Sequence, residues 1–278
     1  MPNKPVRQRL MVRPWEEPVV LAGTDPRSTP GVSGKSKARA QFVKIERALA
    51  ELQERLWAED RRSLLLVLQG TDTSGKDGTV KHVMASVNPQ GCRVVTFKAP
   101  TEEEKRHHFL WRIRRALPGR RLIGIFNRSH YEDVLVPRVK TLVPKKEWTK
   151  RYDEINRFEQ EVTESGTTIV KAFLHISFEE QRRRLIERLH DSTKRWKFDP
   201  DDLPERALWT DYQIAYEDAL NQCSTKAAPW YVIPADRKWY RNWAVSCIVR
   251  ETLEEMAPRY PDPTFDVAGM EARLAPQS

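Results

Sequence analysis

No run of apolar residues approaches the length of a membrane span, and the first ten residues, MPNKPVRQRL, lack the apolar core that a secretory signal needs. The sequence therefore predicts a cytoplasmic protein with no membrane partner. Cysteine is scarce: Cys92, Cys223 and Cys247 lie far apart, without metal-ligand or redox spacing, and read as reduced thiols, mostly of the core. His82, His107, His108, His130, His175 and His190 show no zinc pattern either. There is no internal repeat and no recognised nucleic-acid module. What is present is a chain of 278 residues, long enough for one large α/β core, with 31% charged residues and a net charge of +9. That balance predicts polyanions or phosphate-bearing small molecules as partners.

Residues 1–33 are rich in Pro, Gly and Ser and lack a sustained period, so an extended or disordered arm is expected there. One domain is expected over 34–258, then a tail over 259–278. Over 35–62, Phe42, Ile45, Leu49, Leu52 and Leu56 recur at steps of three and four, which predicts a helix packed on the sheet or on another subunit. The unbroken run Leu64, Leu65, Leu66, Val67, Leu68 predicts a strand covered on both faces. Further strands are expected over 93–97, 122–126, 168–176 and 230–233. Helices are expected over 77–86, 102–117 and 145–165, from Ser177, and on both sides of the last strand. Strands alternating with helices predict an α/β fold with a doubly wound, mostly parallel sheet flanked by helices.

The first strand runs into GTDTSGKDG at 70–78. Gly70, Gly75 and Lys76 fit the spacing G-x-x-x-x-G-K, in which backbone N–H groups wrap a phosphate and the lysine reaches the outer phosphates. Position 77 is Asp, not the usual magnesium-holding Ser or Thr, which makes Asp72 the candidate to carry or orient the cation. The alternative is a glycine turn that binds nothing.

Three further stretches carry chemistry. The strand ending in NRSHYED offers Glu132 and Asp133 as acids near a metal and Arg128 as a guanidinium for phosphoryl oxygens; in the alternative, Arg128 caps a helix and pairs with Asp133. Ser177 and Glu180 form a capping box that starts a basic helix. Arg184 and Arg188 share one face of it, and Lys194, Arg195 and Lys197 follow, as in a mobile lid over a phosphate chain; a merely solvated face is the bland reading. Lys81, Lys98, Lys105 and Arg106 are candidates to line a channel for an extended anion, or else are surface charges. Of the aromatic residues Trp196, Phe198, Trp230, Tyr231, Trp239 and Tyr240, any could stack on a base, but most read as core or subunit contacts.

Together GTDTSGKDG at 70–78, FNRSHYEDVLV at 126–136, RWKFDPDD at 195–202 and PWYVIPADRKWYRN at 229–242 resemble the family-2 polyphosphate kinases, over roughly 35–258. The resemblance implies a P-loop kinase fold of the thymidylate-kinase-like type with a helical lid over about 178–202. It implies that inorganic polyphosphate donates a phosphoryl group to AMP or ADP, giving ADP and ATP reversibly, with Mg2+, or Mn2+ in its place. It implies catalytic roles for Asp72, Lys76, Arg128 and Asp133, with Asp72 and Asp133 on the metal. Gly70, Thr73, Ser74, Gly75, Asp77 and Gly78 become the phosphate cradle, joined by Lys81, Lys98, Arg184, Arg188 and Lys194. Asn127 and Glu132 are placed near the nucleotide. Branches acting mainly on nucleoside diphosphates usually have Asp at the position of Asn127, so this pattern is similar to the branch accepting both AMP and ADP. A homodimer or homotetramer is implied, and no nucleic acid. Such a site needs no strong general base, because the acceptor phosphate is already ionised; His130 is assigned a structural role. Two rivals are an ATP-dependent nucleoside monophosphate kinase, against which the excess positive charge argues, and a basic nucleic-acid-binding protein with a vestigial loop.

Overall fold

Alternate residues of the central strand bury on opposite sides, and two layers of helices cover them. The computed structural model describes residues 4–274. Its sheet has five strands in the order β2-β3-β1-β4-β5: β1 (Ser63–Gln69), β2 (Cys92–Thr96), β3 (Ile123–Asn127), β4 (Thr167–His175) and β5 (Trp230–Pro234). All four pairings are parallel, with Leu66 opposite Ile125 on one side and Val170 on the other.

Helix α1 (Val6–Leu10) lies in the arm, and α2 (Lys35–Glu59) carries the predicted stripe. Ile45, Leu49 and Leu56 of α2 are buried in one core with Leu64, Leu66 and Leu68, with α3 (Lys76–Met84) and with α11 (Lys238–Met256). Each leucine fully buried there contributes about 1.5–3 kcal/mol of transfer free energy. On the opposite face, Leu65, Val67 and Phe126 pack with α5 (Trp111–Ala116) and α7 (Lys145–Glu164). Helices α6 (Glu132–Val139) and α10 (Trp209–Cys223) cover Phe173, Trp230 and Val232 on that side. Thus β1 and its neighbour β3 send their following helices to opposite faces. The crevice this opens at the carboxyl edge is where open α/β sheets bind ligands.

Several elements depart from the sequence expectation. The helix expected over 102–117 is two short ones, α4 (Glu102–Lys105) and α5, because a Thr101–Glu104 capping box closes a separate turn and His108 Nδ1 accepts from the Leu110 N–H at 3.4 Å in the gap between them. Helix α6 starts inside the NRSHYED stretch and was not foreseen. Residues 4–33 form an arm strapped around the β5 edge: Val6 and Leu10 enter one core, Val12 and Leu21 the other. Met11 bridges Tyr231 antiparallel and Val12 N–H donates to Trp230 O at 2.8 Å, which covers an otherwise open edge strand. Residues 1–3 of that arm lie outside the described residues, as do 275–278 of the tail, which carries α12 (Val267–Leu274). Trp230, Tyr231 and Tyr240 are core residues, not stacking platforms. The three cysteines are free thiols, with Cys223 and Cys247 buried. Among the described residues no helix is long and apolar enough to cross a membrane.

Candidate active site

The turn after β1 needs backbone that side chains resist. Gly70, Thr73 and Gly75 have φ of 150°, 64° and 100°, and a Cβ on Gly70 would lie 2.8 Å from the carbonyl of Leu174. Helix α3 then begins at Lys76, with its free N–H groups facing the turn. Lys76 Nζ folds back onto the turn, donating to Gly70 O at 2.6 Å and Thr71 O at 3.3 Å. Burial, followed by the charge of Arg128, pushes its pKa down to about 8. Thr73 Oγ1 and Ser74 Oγ are buried without a partner among the described residues. A loop with a buried cation, unused hydroxyls and a helix N-terminus is chemically prepared for an anion.

The end of β3 meets this loop. Arg128, held at φ 65°, donates through Nη2 to Asp72 Oδ1 at 2.9 Å, and its Nη1 lies 3.9 Å from Glu132. Asn127 donates to Asp77 Oδ1 at 2.7 Å, on the loop side of the crevice. Asp133 Oδ2 accepts from Arg112 Nη2 at 3.0 Å, and Arg112 Nη1 donates to Lys98 O at 2.8 Å. Burial raises the pKa of Glu132 against the pull of Arg128, and that of Asp133 against the pull of Arg112. The bland alternative of an Arg128–Asp133 pair is not what forms: Arg128 faces Asp72, and Asp133 faces Arg112.

Beneath this stretch lies a buried ionic network. Lys171 of β4 donates to Tyr131 Oη at 2.9 Å and to Cys223 O at 2.7 Å, and pairs with Glu159, which also accepts from Tyr131 Oη and meets His130 Nε2 at 3.1 Å. Burial alone would push Glu159 up, but Lys171 and His130 hold its pKa below the usual carboxylate range. His130 is thus buried within this network.

The lid is less uniform than its sequence. Helix α8 (Phe178–His190) starts at Ser177, whose Oγ accepts from Glu180 N–H at 3.1 Å. The capping box is only half made, because Asp236 takes Ser177 N–H while Glu180 turns to Arg183 and Arg184. Arg184 donates to the carbonyls of Thr73, Ser74, Ala235 and Asp236, so it braces the phosphate loop while also lining the groove beside it. Arg188 and Lys194 line the same groove. Beyond α8, a 3-10 turn (Arg195–Lys197) and α9 (Asp202–Ala207) complete the lid.

Two cavities meet at Asp72, Lys98 and Arg128. One, of about 580 Å³, is a groove lined by nine Lys or Arg side chains and three acids, including Lys76, Asp77, Arg188, Lys194 and Lys197, and by the neutral Asn127. The other, of about 550 Å³, has seven acids and five cations together with Phe97, Trp209, Tyr212 and Tyr216. The first suits an extended polyanion and the second a partly apolar ligand that brings cations or hydrogen-bond donors. Asp72, Glu132 and Asp133 all line the second, whereas Asn127, expected near the nucleotide, lines the first. Lys81 is exposed on α3 and lines neither. Lys105 joins the second cavity, and Arg106 joins neither. Arg112, Lys238 and Arg241 were missed, since nothing local in the sequence shows that they reach the crevice.

Among the described residues no three acids, histidines or cysteines converge into a finished metal cage. Asp72 and Asp133 each give one oxygen to an arginine, and both residues line the second cavity. Such a donor set fits a hard, partly hydrated divalent cation that takes its remaining ligands from phosphates.

Comparison with known proteins agrees with this chemistry. The family described as Polyphosphate kinase 2 (PPK2) matches residues 32–261. An AMP/ADP-polyphosphate phosphotransferase of Meiothermus ruber is 53% identical over 230 residues, 83% of this chain and 86% of that one. An ADP-polyphosphate phosphotransferase of Rhodopseudomonas palustris is 45% identical over 234 residues, 80% of this chain and 81% of the relative. The crystal structure of polyphosphate kinase 2 from Arthrobacter aurescens TC1 is similar with a TM-score of 0.94 at 45% identity, covering 98% of this chain and 97% of that one.

Proposed function

The chain belongs to the polyphosphate kinase 2 family, and we propose that it transfers a phosphoryl group from inorganic polyphosphate to AMP and to ADP, giving ADP and ATP. The observation that carries this reading is the meeting of a cation-lined groove with an acid-lined, aromatic pocket at Asp72, Lys98 and Arg128. The groove takes the donor chain and the pocket takes the nucleotide.

In the step, a terminal phosphate oxygen of the nucleotide attacks the end phosphorus of the chain. The anhydride bond behind that phosphorus breaks, and the shortened chain leaves with the bonding electrons. One anhydride is made for one broken, which makes the reaction reversible. The attacking oxygen is already ionised, so no base is required and the protein supplies alignment and positive charge. Lys76 and Arg128 hold the transferring group, with Asp72 fixing Arg128 in place. Arg112 orients Asp133 in the second cavity and the Lys98 backbone where the two cavities meet. Asp72 and Asp133 would hold Mg2+, or Mn2+ in its place, which when bound neutralises phosphate charge.

Purified protein given AMP or ADP, Mg2+ and polyphosphate, with nucleotides followed chromatographically, tests this. The expected result is ADP and ATP from AMP, abolished in Lys76→Ala. Reaction of ADP alone would overturn the AMP assignment. A requirement for ATP as donor would overturn the polyphosphate assignment.

A further inference from the structure

We propose that Arg241, on the first turn of α11, is a ligand of the donor chain, its guanidinium binding a phosphoryl group beside the N-terminus of α3. This rests on polyphosphate being the donor.

Arg241 is 4% exposed, and among the described residues no carboxylate pairs with it. Its Nη1 donates to Ser74 O at 3.2 Å, while Nε and Nη2 donate to the neutral Asn242 Oδ1 at 3.1 and 2.8 Å. A guanidinium has five N–H bonds, so one on each terminal nitrogen has no acceptor among the described residues. The charge is also badly placed for the ligand-free protein. Burial and the neighbouring Arg184 push its pKa down to about 10, and it sits at the positive end of α3.

The loop is shaped around this side chain. A Cβ on Gly75 would overlap Arg241 Nη1, and one on Gly78 would lie 3.1 Å from Nη2. Two glycines of the phosphate loop therefore leave room for a guanidinium arriving from far along the chain. The unpartnered hydroxyls of Thr73 and Ser74 belong to the same loop, and Arg241 lines the basic groove. A buried, unpaired fork with two unused donors matches two oxygens of one phosphoryl group, a geometry that lysine does not reproduce.

The test compares wild type, Arg241→Gln, Arg241→Lys and Gly78→Ala. Tripolyphosphate binding is measured by calorimetry without nucleotide, and transfer kinetics with polyphosphate and ADP. The expected result for Arg241→Gln is roughly tenfold weaker tripolyphosphate binding and a matching rise in the polyphosphate KM, with the ADP KM within about twofold of wild type. Arg241→Lys is expected to recover part of the loss, and Gly78→Ala, whose Cβ would press on Arg241 Nη2 from 3.1 Å, to lose less in the same direction. If circular dichroism shows Arg241→Gln to be unfolded, Gly78→Ala carries the comparison. Unchanged tripolyphosphate affinity in folded variants would overturn the inference and leave Arg241 a tether for Ser74. Wild type that binds tripolyphosphate but does not transfer from polyphosphate would overturn the donor assignment alone. Wild type that does not bind it would overturn both.

Discussion

Asn127 donates its side-chain amide to Asp77 Oδ1 at 2.7 Å, so the end of β3 grips the first turn of α3 at the position where a phosphate loop usually carries a hydroxyl. The neutral amide fixes the carboxylate without adding a second charge. Asn127→Asp would set two carboxylates at hydrogen-bond distance, which must share a proton or recruit a cation. We expect this variant to melt about 2–4 °C lower than wild type without metal, a loss of about 1 kcal/mol, and to gain more from added Mg2+. Thermal melts with and without Mg2+ check this; an equal response of the two proteins would count against it.

Lys76 titrates where activity can be followed. Its folded pKa, about 8, lies below the ordinary 10.5, so the free enzyme loses this ammonium as pH rises through about 8. kcat/KM for polyphosphate should fall over that range, while kcat holds to higher pH because bound phosphate favours the charged form. Lys76→Arg should remove the inflection. The stability effect follows the usual linkage: between pH 8 and 10.5 the unfolded chain holds the proton and the folded one does not, so this group's contribution improves as pH rises and is lost as pH falls through 8.

Glu187 is a carboxylate inside the basic groove, 3.1 Å from Lys194 and 3.4 Å from Lys238. It holds these two cations, and Arg183 of its own helix at 3.5 Å, and repels the donor chain. Glu187→Gln should lower the polyphosphate KM by about twofold to fivefold, an effect that shrinks in high salt. Steady-state kinetics at two ionic strengths decide; a raised KM would mean that Glu187 positions the lysines instead.

The pair Lys171–Glu159 is fully buried under the stretch that carries Arg128 and Asp133. Lys171→Met leaves the buried Glu159 carboxylate with only Tyr131 and His130 as partners and should cost about 3 kcal/mol in chemical denaturation. The double variant with Glu159→Gln should recover much of that. Equal losses in the single and the double variant would show that the pair acts through packing alone.

The glycine spacing at 70–78, the apolar run from Leu64 to Leu68 and the helix–strand alternation were legible because each is local: a strand buried on both faces must be apolar throughout, and a turn at φ near 100° selects glycine. So were Asp72, Lys76 and Arg128, each adjacent to a strand end that the topology brings to one edge of the sheet. The arginines were not separable in this way. Arg184, Arg188 and Arg241 are chemically identical and all line the groove, yet Arg184 spends its donors on Glu180 and four carbonyls, Arg188 meets Lys197 O and Asp202, and Arg241 lies against Gly75 and Gly78. Which carbonyl or carboxylate a guanidinium meets depends on packing between segments far apart in the chain. The same holds for Arg112, which lies on α5 and meets Asp133 of α6, 21 residues further along the chain. The sequence by itself determined the sheet, the loop and the sign of the groove's charge; only the tertiary structure decided which cations are spent on the protein and which are left for phosphate.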